Sequence, residues 1–112
     1  MLKKENRLTK KKDFDRVYKK GRGIRSDSLF LKILENDKEK TRIGIVISKK
    51  VSKKAVERNK IKRRIREIVR KMDFCKGFDI IVVAYPNAKE KDFEGIKQEI
   101  IYLFKKAKCL NL

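Results

Sequence analysis

There is no histidine in this 112-residue chain and no tryptophan; proline occurs once, and lysine and arginine outnumber aspartate and glutamate by 34 to 15. Without histidine, Ser-His and Cys-His nucleophile pairs and the common histidine-based zinc sites are excluded. The two cysteines, Cys75 and Cys109, form no CxxC pair, and in a reducing compartment such residues read as plain thiols. Long apolar runs are also missing. The longest, "IIVVAY" at 80–85, falls far short of the about 20 residues that a bilayer-spanning helix needs. The start, "MLKKENRLTKKK", is basic but is followed by no apolar stretch, so it does not read as a secretory signal. The expected location is the cytoplasm, with no membrane role.

What is present is positive charge, a formal +19. A field of that strength attracts polyanions at long range and makes the binding salt-sensitive. Nucleic acid is the first candidate and an anionic membrane the second. Hydrophobic residues make up 40% of the chain, enough for one modest core, so the charge does not by itself imply disorder. The length fits one domain over 1–112, with 1–9 as a flexible basic arm.

Along the chain, Thr9 is a candidate cap for a first helix over 10–20, which Gly21 ends. Phe14, Val17 and Tyr18 share one face of it. "GRGIRS" reads as a turn or a short extended piece. "SLFLKILEN" alternates, with Leu29, Leu31 and Ile33 on one side and Phe30, Lys32 and Leu34 on the other, which predicts a strand. "DKEK" at 37–40 is a polar turn. "TRIGIVIS" at 41–48 then predicts a second strand, paired with the first as an antiparallel hairpin. A helix over 55–72 follows. "DIIVVAY" at 79–85 predicts a strand buried on both faces, stopped by Pro86. A last helix over 91–106 aligns Phe93, Ile96, Ile100, Leu103 and Phe104 as one core-facing stripe. The order predicts an α+β class, a small two-layer sandwich of helices on a mixed sheet.

The helix "AVERNKIKRRIREIVRKM" carries the strongest functional signal. At about 100° per residue, Ile61, Ile65, Ile68, Val69 and Met72 fall in one sector, the core stripe. Asn59, Lys62, Arg63, Arg66 and Arg70 fall in another. Lys60, Arg64, Glu67 and Lys71 form a third, mixed face, where Glu67 relieves Arg63, Arg64 and Lys71. Like charges at i, i+4, such as Lys62–Arg66 and Arg66–Arg70, destabilise an isolated helix by a few tenths of a kcal/mol per pair. A solvated face interleaves acids to relieve that cost, and the Asn59 stripe does not. It therefore reads as a face held for phosphates, with arginine as a planar fork and lysine as a mobile point charge. Two roles fit Asn59. It either polishes the helix start or hydrogen-bonds a ribose, a base or a hydrated metal ion.

"KKAVERNKIKRRIRE" resembles the RNR motif of the protein subunit of bacterial ribonuclease P, a small residue and a hydrophobe before R-N-x-x-K-R-x-x-R, here Arg58, Asn59, Lys62, Arg63 and Arg66. "RLTKKKDFDRVYKKG" is similar to that family's N-terminal helix, "RIGIVISKKV" to the strand leading to the motif, and "FDIIVVAYPNA" to the strand and P-x-A turn after it. The four pieces occur in order over nearly the whole chain. The sequence departs from the family's pattern between 49 and 54, where many members carry a glycine and this chain has "VSKK".

The resemblance implies a mixed four-stranded sheet with three helices and a left-handed β-α-β crossover, similar to the second domain of a small-subunit ribosomal protein. It implies a subunit of the ribonuclease P endoribonuclease, which removes the 5′ leader of precursor tRNA. Catalysis is then expected from the RNA subunit, with Mg2+ held mainly by RNA. The implied partners are ribonuclease P RNA and precursor tRNA, with no obligate protein partner. Arg58, Asn59, Lys62, Arg63, Arg66 and Arg70 are implied to face the RNA subunit. Phe14, Tyr18, Phe30, Lys32, Lys49 and Lys50 are implied to line the leader cleft, and Asn59 is the one candidate metal contributor. From the residues alone, single strands are bound by aromatic platforms with cations along a groove, although Phe14, Tyr18 and Phe30 also fit an ordinary core.

Three other classes compete. A basic ribosomal or RNA-chaperone protein without a role in cleavage would need no separate aromatic face. A metal-dependent protein nuclease needs paired acids. Asp13 and Asp15 point to opposite sides of a helix, and Asp37 and Glu39 sit in a turn. A DNA-binding helix-turn-helix does not fit, because a strand precedes the basic helix.

Overall fold

A strand that is apolar on both faces belongs in the middle of a sheet. The computed structural model, which describes residues 3–111, places β4 (Phe78–Ala84) there, between β2 (Leu29–Glu35) and β3 (Arg42–Ile47), with the short β1 (Arg22–Arg25) on the outside of β2. The order is β1-β2-β4-β3. β1 and β2 are antiparallel, as are β2 and β4, whereas β3 and β4 are parallel. The predicted hairpin of the second and third strands therefore does not form. Ile80, Val82 and Ala84 on one face of β4 and Ile81 on the other are all buried. Pairing β2 directly with β3 would have left β4, apolar on both faces, at the sheet edge. "GRGIRS", read as a turn or extended piece, supplies β1.

The helices α1 (Lys11–Lys20), α2 (Ala55–Val69) and α3 (Phe93–Ala107) divide unequally between the two faces. α2 and α3 cover the face of Leu29, Leu31, Ile33, Ile43, Ile80 and Val82, to which they contribute Ile61, Ile65, Ile68, Ile96, Ile100, Leu103 and Phe104. α1 alone lies on the other face, where Val17 packs with Leu8 and Ile81. Phe93, expected in the core stripe of α3, is exposed instead, because it opens the helix one turn before the packed stripe begins. Asp92 caps α3, accepting from the Gly95 N–H at 2.8 Å. No such side-chain cap starts α1. Its cap position is Lys10, and Thr9 lies one residue too early.

Residues 1–9 were expected as a loose arm, and those described fold back onto the β3 edge. Lys4–Asn6 form a 3-10 turn, the Leu8 N–H donates to the Ile43 carbonyl at 2.9 Å, and the Leu8 side chain is buried. That bond also reports the hand of the β3–α2–β4 crossover. An L-residue on an upward strand, with its side chain toward the viewer, directs its own N–H and C=O to the right. Ile43 points its side chain at the α2 face, and its carbonyl points outward to Leu8. Seen from α2, β4 thus lies to the left of β3, and the crossover is left-handed, against a right-handed rule that holds in about 98% of cases.

Between β3 and α2, the Val51 N–H closes a turn onto the Ser48 carbonyl at 3.1 Å, and the buried Ser52 hydroxyl accepts from the Lys54 N–H at 3.1 Å. Among the described residues, positive φ outside glycine occurs only at Asp37 and Lys108. The "VSKK" loop therefore has no backbone position that calls for the missing glycine.

Candidate nucleic-acid interface

The face under α1 is built in three rows that run straight across the sheet. The first row is Leu34, Asp79 and Arg42, the second Gly23, Lys32, Ile81 and Gly44, and the third Arg25, Phe30, Val83 and Val46. α1 closes the first row with charge. The Asp79 carboxylate is fully buried and accepts from Arg42 at 2.8 and 2.6 Å, from Arg16 at 2.6 Å and from Asn36 at 2.9 Å. Arg42 also reaches Asp13 at 3.3 Å. Burial would raise the Asp79 pKa, but the hydrogen bonds from Arg42, Asn36 and Arg16 outweigh it and hold the carboxyl below its ordinary range. This network occupies Asp13, one of the acids that a protein nuclease would need. The lone acid in an otherwise apolar "FDIIVVAY" was its visible signal in the sequence.

The second row is half-covered. The Phe14 ring lies over Gly44 so closely that a Cβ on Gly44 would come within 2.5 Å of it. Lys32, in the same row but two strands away on β2, is half-exposed. One turn along α1, Tyr18 is 42% exposed, and partial burial still pushes its hydroxyl pKa up. The third row is only partly covered, although Val46 and Val83 touch the cluster around Val17. Phe30 lies half-buried with its ring over Gly23, and Val46 and Val83 are also only half-buried. Lys49 and Lys50 are exposed in the turn that leaves β3 just beyond Val46. The structure thus brings Phe14, Tyr18, Phe30 and Lys32 to one face, with Lys49 and Lys50 at its rim.

The six α2 residues expected to face RNA divide in two. Asn59, Lys62, Arg63 and Arg66 carry no side-chain hydrogen bond or ion pair among the described residues, and Asn59, Arg63 and Arg66 line a hollow of about 340 Å³ with Glu67. Arg58 and Arg70 are different. The Arg58 guanidinium donates to the Ser52 and Lys53 carbonyls at 2.9 and 3.0 Å and so ties down the preceding loop. Arg70 forks onto Glu67 at 2.9 and 2.6 Å, which holds the Glu67 carboxyl below its usual range. Glu67 was expected to relieve Arg63, Arg64 and Lys71. It engages Arg70 and, at 3.8 Å, Lys71, while Arg64 donates to the Lys91 carbonyl at 2.9 Å. Asn59 is exposed in the second turn of α2 and does not cap the helix, whose cap position is Lys54. At 78% exposure, Val56 is an apolar side chain that the sequence reading did not single out, standing out at the start of this cationic helix.

Among the described residues, no three Asp, Glu or Cys side chains gather as a metal site. Around Asn59 the donors are two arginines and a carboxylate already taken up by Arg70 and Lys71. That set does not fit a magnesium ion held by protein alone. Cys75 and Cys109 are free thiols, and burial pushes the Cys109 thiol to about 11. Among the described residues no helix is long and apolar enough to cross a membrane.

The sequence profile of the Ribonuclease P family matches residues 2–108. The chain belongs to the ribonuclease P protein family. A ribonuclease P protein component from Picosynechococcus is 41% identical over 112 residues, covering 98% of this chain and 97% of the relative. One from Clostridium botulinum strain 657 is 37% identical over 111 residues, covering 96% and 99%. The solved RNase P protein of Staphylococcus aureus superposes with a TM-score of 0.86 at 38% identity, covering 95% of this chain and 98% of that one. For the Thermotoga maritima RNase P protein the values are 0.81 and 32%, covering 89% and 96%. The ribonuclease P fold is thus reached from two directions, by sequence profile and by superposition.

Proposed function

We propose that the chain is the protein component of a ribonuclease P ribonucleoprotein, that it binds the RNA subunit, and that it holds the 5′ leader of precursor tRNA while the leader is removed. The observation that carries this reading is a pair of surfaces joined by one short turn. Four α2 side chains, Asn59, Lys62, Arg63 and Arg66, have no hydrogen-bond or ion-pair partner among the described residues, and β3 leads from the half-covered sheet row toward that helix. Unpaired arginine and lysine at i, i+3 and i+4 suit the phosphates of a structured RNA. Half-buried aromatic rings with lysines at the rim suit a single strand, whose bases stack and whose backbone follows the charge.

On this reading the bond-breaking step belongs to the RNA. The protein has no histidine, and Asp13 and Asp79 are tied up by arginines. What this chain supplies is position and charge. It orients the leader, neutralises phosphates near the scissile bond, and leaves magnesium to be held mainly by RNA oxygens.

The test is cleavage of 5′-labelled precursor tRNA at low magnesium with protein alone, cognate ribonuclease P RNA alone, and both. Cleavage that is far faster with both is the expected result. Cleavage by the protein alone would overturn the assignment of chemistry to RNA. No gain on adding protein would leave a basic RNA-binding protein without this role.

A further inference from the structure

We propose that Arg25 and Tyr85 form an additional base-stacking subsite, which carries the single-strand groove past Phe30 to the β1 side of the sheet. The proposal rests on the leader reading above and names where a more distant leader nucleotide sits.

The Arg25 guanidinium lies 4.7 Å from the centroid of the Tyr85 ring. Arg25 stands directly opposite Phe30 in the β1–β2 pairing, and Phe30 opposite Val83. Its side chain therefore shares the face of the third row and reaches across β2 toward Tyr85, the residue that follows β4. From Val46 on β3 to Arg25 on β1 the row spans three strand spacings, about 14 Å. A four-stranded sheet face of that width stacks two or three bases in other RNA-binding modules.

The charge of Arg25 is uncommitted. Among the described residues its side chain has no hydrogen-bond or ion-pair partner. The nearby acids are taken. Asp27 is paired with Lys91 at 2.5 Å, and Glu99 accepts from the Ser26 hydroxyl at 2.6 Å and from the Ser28 N–H at 2.7 Å. Arg25 itself is exposed and Tyr85 half-buried. A guanidinium resting on a ring keeps its second flat face and its N–H edge open, one for a base and the other for a phosphate.

The platform is also held in place before any ligand arrives. The Tyr85 N–H donates to the Ser28 carbonyl at 2.8 Å, and the Asn87 amide donates to the Asp27 carbonyl at 3.1 Å. With Glu99 clamping Ser26 and Ser28 from α3, the β1–β2 turn is bonded both to α3 and to the end of β4. Little ordering is left to do on binding.

The experiment uses the holoenzyme assembled with its RNA. Affinity is measured for mature tRNA and for precursors with leaders of increasing length, using wild type, Arg25→Ala, Arg25→Gln and Tyr85→Leu. Wild type should gain affinity as the leader lengthens. Arg25→Ala and Tyr85→Leu should lose at least about fivefold on the longest leaders, the low end of one stacking contact, and nothing on mature tRNA or the shortest leader. Arg25→Gln keeps the stem and a small plane without the charge, so it should lose less than Arg25→Ala on long leaders. Equal losses on every substrate, or no loss at all, overturn the subsite. A wild type that gains nothing from any leader overturns the leader reading and the subsite with it. A length-dependent wild type with unchanged Arg25→Ala overturns the subsite alone.

Discussion

The two faces of the sheet solve the same problem differently. Under α2 and α3 the rows of β2 and β4 are apolar and sealed, with Leu29, Leu31, Ile33, Ile80 and Val82 packed on Leu103 and Phe104. Under α1 one helix has to cover a face of the same width, and it covers only part. At one end it closes the face with ions around Asp79, and at the other it leaves Phe30, Val46 and Val83 half-open. A sealed face contributes stability by burial. A half-covered face gives up some of that contribution and keeps a groove. The ionic end then fixes α1 and, with it, the position of Phe14 and Tyr18 above the groove.

The largest effect is expected from breaking that ionic end. Asp79→Ala leaves Arg42 and Arg16 facing a buried vacancy, and removing one partner of a buried pair costs about 3–5 kcal/mol. Urea unfolding should show the loss, and a drop below about 1 kcal/mol would mean that α1 is held by its apolar contacts alone. A pH series sharpens the point. The native Asp79 pKa is lowered, so as pH falls the unfolded chain takes up the proton first. The contribution is complete above the ordinary carboxylate pKa of about 4 and is lost as pH falls through the native value. Asp79→Asn should lack that acid-dependent loss.

Next in size is the double substitution Arg63→Ala with Arg66→Ala. Neither side chain supports the fold, so unfolding should be unchanged within about 0.5 kcal/mol, whereas RNA affinity should fall. Each lost phosphate contact removes about 0.7–0.9 from the slope of log affinity against log salt. An unchanged slope would mean that these arginines do not meet phosphate.

A smaller effect tests how closely α1 is fitted to the groove. Gly44→Ala would place a Cβ 2.5 Å from the Phe14 ring, and the ring has to swing away. Overpacking of this kind costs about 1–3 kcal/mol. Most of that cost should vanish in a Phe14→Ala background. If the substitutions simply add, Gly44 and Phe14 are not coupled. Displacing the ring should also weaken precursor tRNA binding more than mature tRNA binding.

How much of this was legible in the sequence follows the range of the interactions. The α2 stripe was readable because a 100° repeat is local, and Ile61, Ile65, Ile68 and Val69 are buried as expected. The alternation in β2 was local too and correctly separated Phe30 and Lys32 from Leu29 and Leu31. The strand order was not readable. "DKEK" between two strands looks like a hairpin turn, and only the two-sided apolarity of a strand far along the chain argues for insertion. The crossover hand was taken from a resemblance and is visible in the structure through one carbonyl, that of Ile43. Partner choice was beyond the helical wheel, because Arg66 and Arg70 fall in the same sector there and only side-chain geometry separates them.

That separation yields the smallest predicted effect and the finest test. Arg66 has no partner among the described residues, whereas Arg70 forks onto Glu67, with its guanidinium pKa raised and the Glu67 carboxyl lowered by the same bonds. A cation already neutralised by a carboxylate attracts a phosphate weakly, since the RNA would first have to displace the acid. Arg70→Ala should therefore change the salt dependence of RNA binding much less than Arg66→Ala. Glu67→Gln should release Arg70 and raise affinity slightly at low salt, where an extra free cation counts most. Equal slope changes for Arg66→Ala and Arg70→Ala would mean that the RNA strips Glu67 from Arg70 on binding, and that the whole stripe, as the helical wheel drew it, meets phosphate.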